Sequence, residues 1–342
     1  MPSMRTFLCF FITYIFFYPP CSAQKIEPSC PNAFFMHKDG GTQAIRYASS
    51  HPLDKQDTTV TTLLVYIHGV NRNGVAYFGY ANDMVRSARR RKETLVIAPQ
   101  YANADDLDFY RLSNDFLYWN KAQWKDGHTS ASEGRRQQTV KMSSYEVMDS
   151  LLTLVLTSNV FPHIRRVVIV GHSAGGQFVQ RYSAITPLPD ALTQFTFRFI
   201  VMDPSSYMYP DGKRPLGDKT FGLPDSSACP EYNHYPKGLE ELNTYAQAVG
   251  ADKIRYNLLH RDIVILLGAR DTRTDDPNLD VTCAANLEGP YRLERGIQFF
   301  AYLSSWPDYG NKKNFAIVPD SGHNGDKMIN SDEAVQWVFT NP

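Results

Sequence analysis

The stretch Arg166-Val167-Val168-Ile169-Val170-Gly171-His172-Ser173-Ala174-Gly175-Gly176-Gln177-Phe178-Val179 decides how the rest of the chain is read. The β-branched run Val167 to Val170 is continuous enough to be a strand covered on both faces. Phe178, Val179, Tyr182 and Ile185 then recur at helical spacing until Pro187 stops them. Between the two lies Gly-x-Ser-x-Gly. Glycines flank a serine in this setting because a sharp strand-to-helix turn brings the two backbones too close for a Cβ. Such a turn lifts the Ser173 hydroxyl above the sheet edge, with a helix N-terminus behind it that favours developing negative charge. The pattern alone is common; a strand before it and a helix after it mark Ser173 as a nucleophile.

Working outward, short apolar runs alternate with helix-period segments, which predicts an α/β fold with a mostly parallel central sheet and helices on both faces. The strands expected are Thr62 to Ile67, Leu95 to Ala98, Arg166 to Val170, Phe197 to Met202, Ile263 to Leu267 and Phe315 to Val318. Ala33 to Met36 and Gln43 to Ala48 flank Lys38-Asp39-Gly40-Gly41, a hairpin turn and hence an antiparallel edge. Ser143 to Glu146 form a capping box before Val147, Met148, Leu151, Leu154 and Val155. Further helices are expected around Leu293 to Phe300 and from Asp332 to Phe339, the latter capped by Ser331.

A serine hydroxyl needs a base, and the base needs an orienting carboxylate. After a turn of this kind the chain order is serine, acid, histidine. Beyond residue 250 only His260 and His323 are present. His260 precedes a strand, whereas His323 lies in a loop directly after one, where a base hangs over the sheet's carboxyl edge. His323 is therefore the expected base. Asp271, in Gly268-Ala269-Arg270-Asp271 after the strand Ile263 to Leu267, is the favoured acid; Asp203 is its main rival, and Asp275 and Asp276 lie one loop further on. The oxyanion donors expected are the backbone N–H groups of Ala174 and of Val70, in the loop His68-Gly69-Val70-Asn71-Arg72-Asn73-Gly74. Arg72 and Asn73 are candidates for substrate contact, and His68 and His172 for bonds to loop backbone.

The set Tyr66-Ile67-His68-Gly69, Gly171 to Gly176, Gly268 to Asp271 and Ser321-Gly322-His323, each after a strand and in that order, resembles the α/β-hydrolase superfamily over about residues 33 to 340. Asp203-Pro204-Ser205-Ser206-Tyr207 and Gly289 to Gly296 are similar to segments of a largely uncharacterised group of secreted members. The resemblance implies the α/β-hydrolase fold, a carboxylic ester hydrolase using Ser173, His323 and Asp271, and no metal or organic cofactor. Serine peptidase or acyltransferase chemistry on the same fold, or a binding module that has lost its chemistry, are the alternatives.

Residues 1 to 23 run from Arg5 through the apolar stretch Phe7 to Tyr18 to Cys21-Ser22-Ala23. This is the pattern of a secretory signal peptide cleaved after Ala23, because the apolar run of about a dozen residues falls short of the roughly 20 that span a bilayer. The remainder, 24 to 342, is read as one domain in an extracellular, lumenal or periplasmic compartment, with no stable membrane insertion. Loss of Cys9 and Cys21 leaves Cys30, Cys229 and Cys283, which allow one disulfide. Cys229 with Cys283 is favoured, since both lie in loop-like segments. Lys and Arg number 35, as do Asp and Glu, which removes any electrostatic case for nucleic acid. Residues 101 to 142 and 204 to 235 are too long for simple connections and rich in aromatics. Overhanging the active-site edge, they would place Trp119 and Tyr207 in a wall for an ester substrate with an apolar or aromatic part. Asp276 to Asp280 open like a calcium loop but lack its glycine and its terminal glutamate, and are read as a solvated acidic loop.

Overall fold

Alternation of side chains along each strand sorts the core into two layers. A computed structural model describes residues 28–217, 220–310 and 312–340; residues 1–23, expected to be a signal peptide and containing Cys9 and Cys21, lie outside them. Ten strands are found among the described residues: β1 (Asn32–Lys38), β2 (Gly41–Ser49), β3 (Thr62–Ile67), β4 (Thr94–Gln100), β5 (Arg166–His172), β6 (Thr196–Met202), β7 (Arg214–Gly217), β8 (Thr220–Gly222), β9 (Ile263–Gly268) and β10 (Phe315–Val318). Eight form one sheet in the order β1-β2-β4-β3-β5-β6-β9-β10, and β7 and β8 make a separate hairpin. The β1–β2 and β2–β4 pairings are antiparallel and the rest of the large sheet is parallel. All six strands expected at the parallel part are present, as is the antiparallel edge.

Along β3, Leu63, Val65 and Ile67 face one layer while Leu64 and Tyr66 face the other. The first layer packs against the helices Ser144–Thr157, Ala174–Ile185, Ala251–His260 and Arg292–Ser304, and the second against Gly74–Ser87, Gly325–Ile329 and Asp332–Phe339. Each buried Leu, Val or Phe side chain contributes about 1.5–3 kcal/mol relative to exposure. The helices Gly74–Ser87 and Ala251–His260 were not anticipated. In the first, Asn73 makes no side-chain cap bond, and Gly74 and Gly79 weaken helix propensity. Its apolar stripe of Tyr77, Ala81, Met84 and Val85 is nonetheless buried.

The two long segments do reach the sheet edge, where Lys125 of the first and Ser205 of the second border a recess beside Ser173, but the aromatic wall expected of Trp119 and Tyr207 is not formed. Trp119, Trp124, Tyr207 and Tyr209 are fully buried. Trp119 donates from its indole to His128 O at 2.8 Å and packs edge-on to Tyr101, while Tyr207 stacks on Phe299 at 4.5 Å. These four rings close the core beneath the segments because a buried ring removes more surface from water than one lining an open cleft. The disulfide joins Cys229 to Cys283 across 54 positions, tying the second segment to the loop after β9; Cys30 is free and buried. No helix of the described residues is long and apolar enough to cross a membrane.

Loop closure of this length is worth about 2–4 kcal/mol. The double replacement of Cys229 and Cys283 by alanine is expected to lower the denaturant unfolding free energy by that amount. Equal stability of variant and oxidised wild type would show that the bond constrains nothing.

Candidate active site

The central position of β5, between β3 and β6, puts the turn after it at the middle of the sheet's carboxyl edge. Ser173 occupies that turn with φ 60° and ψ −120°, a conformation L residues rarely adopt. Its N–H is held by Met202 O of β6 at 2.9 Å. The flanking glycines are required by contact: a Cβ on Gly171 would stand 2.1 Å from Gly175 O, and one on Gly175 would stand 2.3 Å from Ile67 O. Helix Ala174–Ile185 follows, with all twelve of its residues buried.

Loops after β9 and β10 converge on this serine. They are joined by Ala269 N–H to Val318 O at 3.0 Å and Arg270 N–H to Ser321 O at 2.8 Å. His323 Nε2 lies 2.9 Å from Ser173 Oγ, and His323 Nδ1 lies 2.7 Å from Asp271 Oδ2. A carboxylate accepts from Nδ1–H, so that geometry leaves Nε2 as the acceptor for the serine proton. Ser173 is 7% exposed and Asp271 2%, so the carboxylate is shielded while the serine is reached from one side. His260 sits exposed at a helix end, away from these groups.

Asp203, the rival acid, does not meet His323 Nδ1. It is fully buried, accepts from Gly268 N–H at 2.8 Å, and faces His172 Nε2 at 3.8 Å. Burial and the nearby Asp271 charge push its carboxyl well above the usual range. Burial, with the neighbouring His323 and Arg292 charges, pushes His172 well below the usual imidazole value. The pair behind the serine is thus electrically quiet. His172 does not bond loop backbone as expected; its Nδ1 accepts from the Tyr77 hydroxyl at 3.0 Å, and its ring lies 4.6 Å from that of His323. One group of three metal-type ligands occurs among the described residues, His172, Asp203 and His323, but both ring nitrogens of His323 are already engaged by Ser173 and Asp271.

The loop after β3 is braced from beneath. His68 donates from Nδ1 to Gly69 O at 2.8 Å and accepts Tyr101 N–H at Nε2 at 2.9 Å. Arg72 was expected to meet substrate; instead its guanidinium is buried against Asp106 at 2.5 Å and donates to Val70 O at 3.2 Å. Its charge is spent inside the protein, and what it does is hold Val70. Among the described residues the Val70 N–H makes no backbone hydrogen bond, and Ala174, first in its helix, has no intrahelical acceptor.

Two residues carried no sequence expectation of a role. Arg292 is fully buried and bonds Asp271 Oδ1 at 3.4 Å, Ser205 Oγ at 3.0 Å and Asp276 Oδ1 at 3.3 Å. Tyr77 carries the His172 bond. Helical spacing from Gly289-Pro290 would put Arg292 at a helix start, but nothing in sequence shows which carboxylates it faces.

The cleft above Ser173 divides into two recesses. One of about 340 Å³ is lined by Asn71, Asn73, Tyr80, Asp276, Asn324 and His323, and one of about 210 Å³ by Ala174, Lys125, Gln177, Ser205, Pro277 and Leu279. Val70, Ser173 and Asn278 border both. Asp276 to Asp280, read above as a solvated loop, therefore form a cleft wall. Asn73 lies on the cleft as expected, whereas Trp119, Tyr207 and Arg72 line neither recess; the aromatic rings at the cleft are instead Tyr77 and Tyr80, with the amides of Asn71, Asn73, Asn278 and Asn324 beside them. Larger cavities of about 620 and 540 Å³ lie elsewhere and contain none of Ser173, Asp271 and His323.

No protein-family model matches the sequence, and no curated protein matches it. Solved structures do. The poly(3-hydroxybutyrate) depolymerase LpqC from Bordetella parapertussis superposes with a TM-score of 0.60 at 22% identity, over 90% of this chain and 89% of that one. Poly(aspartic acid) hydrolase-1 from Sphingomonas sp. KT-1 gives 0.60 at 23% identity, over 92% and 100%. Together with the strand order, these likenesses show that the chain has the α/β-hydrolase fold.

Burial pushes the His68 imidazole down to about 4. The unfolded chain takes up its proton near pH 6.5, so stability is complete above that pH and is lost as pH falls towards about 4, with a limit of about 3 kcal/mol. Unfolding measured at pH 7 and pH 4.5 should show a smaller acid loss for His68→Asn than for wild type. Equal losses would remove His68 from the account.

Proposed function

We propose that the protein is a secreted serine hydrolase that cleaves carboxylic esters through an acyl-enzyme on Ser173. The observation that carries the reading is the unbroken chain from Asp271 through His323 to Ser173. In that reading His323 Nε2 takes the Ser173 proton as Oγ bonds to the ester carbonyl carbon. The carbonyl oxygen, now negative, is met by the N–H groups of Val70 and Ala174. Collapse breaks the bond to the alcohol oxygen, to which His323 returns the proton. Water, deprotonated by the same imidazole, then releases the acid and restores Ser173. Asp271 orients the ring and stabilises its charged form, and Arg292 fixes Asp271. The leader at residues 1 to 23 supports export, with a single domain beyond it, and a disulfide suits an oxidising compartment. An ester is favoured over an amide because its leaving group demands less of the acid step.

Hydrolysis of nitrophenyl butyrate tests the roles. Ser173→Ala is expected to abolish turnover, and Asp271→Asn to lower kcat by roughly a thousand- to ten-thousandfold with KM little changed, since the wrong imidazole tautomer results. Full activity of Asp271→Asn would move the acid role elsewhere, and full activity of Ser173→Ala would end the mechanism.

A further inference from the structure

We propose that the alcohol half of the substrate is a carbohydrate, seated in the recess on the His323 side of Ser173; this rests on the ester-hydrolase reading and adds the leaving group to it. The two recesses are told apart by the direction of the reaction. The base must return its proton to the departing alcohol oxygen, so the alcohol lies on the base's side. His323 lines the recess of about 340 Å³ and not the smaller one, whereas Ala174, whose N–H meets the carbonyl oxygen, lines the smaller one and not the larger. The acyl group accordingly enters the smaller recess, beside Pro277 and Leu279, and the alcohol enters the larger.

The lining of the larger recess suits hydroxyl groups. Asn71, Asn73, Asn278 and Asn324 border it, and each amide offers two donors and an acceptor, the mixture that a ring of hydroxyls matches. Asn73 Oδ1 is enclosed and without a hydrogen-bond partner, an acceptor left for a ligand hydroxyl to satisfy. Asn324 uses Oδ1 to cap the helix after it, accepting Lys327 N–H at 2.9 Å, which leaves its amide N–H groups uncommitted to that cap. Asp276 adds a charged acceptor: burial pushes its carboxyl up, but Asn278 N–H and the Arg292 guanidinium outweigh this and hold it below the usual range. With Arg292 behind it, Asp276 does not make the recess a trap for cations. An alkyl alcohol would strip water from these amides and return no hydrogen bonds.

Glucose 6-butyrate and hexyl butyrate share an acyl group and a six-carbon alcohol. The expected result is a kcat/KM at least about tenfold higher for the sugar ester. Asn71→Ala, at an exposed position with no hydrogen bond to lose, and Asn73→Ala are each expected to lower the sugar ester's kcat/KM more than the hexyl ester's. An equal or reversed preference, equal losses on both esters, or a choline butyrate preference over the sugar ester overturns the carbohydrate assignment. Fluorophosphonate labelling in parallel separates the two levels: a labelled protein that prefers the hexyl ester refutes the sugar alone, whereas an unlabelled protein that cleaves neither ester refutes the hydrolase reading as well.

Discussion

Everything at the sheet edge follows from how closely one helix start approaches one strand end. Gly175 lies against the carbonyls of Ile67 and His68, and Gly171 against Gly175, at distances that only missing Cβ atoms permit. The chain can leave β5 and enter the helix in so little space only by forcing Ser173 to φ 60°. Strain of that kind costs of order 1–3 kcal/mol. The buried helix Ala174–Ile185 and the Ser173 N–H bond to Met202 offset it. The same approach sets Val70 beside Ser173, so the serine and the loop after β3 are positioned by a single packing contact.

A second constraint is electrostatic. Two aspartates, Asp203 and Asp271, end or follow neighbouring strands near one imidazole. Burial and mutual repulsion push the Asp203 carboxyl up, while Arg292 reaches Asp271 instead. His323 Nδ1 therefore meets one carboxylate, that of Asp271, while Asp203 faces His172 Nε2 at 3.8 Å. The arginine also bonds Asp276, which links the buried end of the chain to the cleft wall.

Much of this was legible because each motif announces itself by following a strand. The glycines around Ser173, the loop position of His323 and the apolar runs of β3, β5, β6 and β9 are local properties of sequence. What was not legible depends on partners distant in the chain. Trp119 and Tyr207 have the composition of a binding wall, yet both are enclosed by core residues. Arg72 has the place of a substrate contact, but Asp106, 34 positions away, takes its charge. The acidic stretch Asp276 to Asp280 looked solvated because nothing in its own residues shows that it folds against the serine. The helix Gly74–Ser87 went unread since its glycines mask a sound apolar stripe.

The central claim is that Ser173 alone carries the covalent intermediate. It is tested most directly by peptide mapping of the protein after reaction with a fluorophosphonate, because the tryptic peptide from Val167 to Arg181 contains a single serine. The account predicts the phosphonyl adduct on Ser173 of that peptide. An adduct on any other residue, with that peptide unmodified, would contradict it.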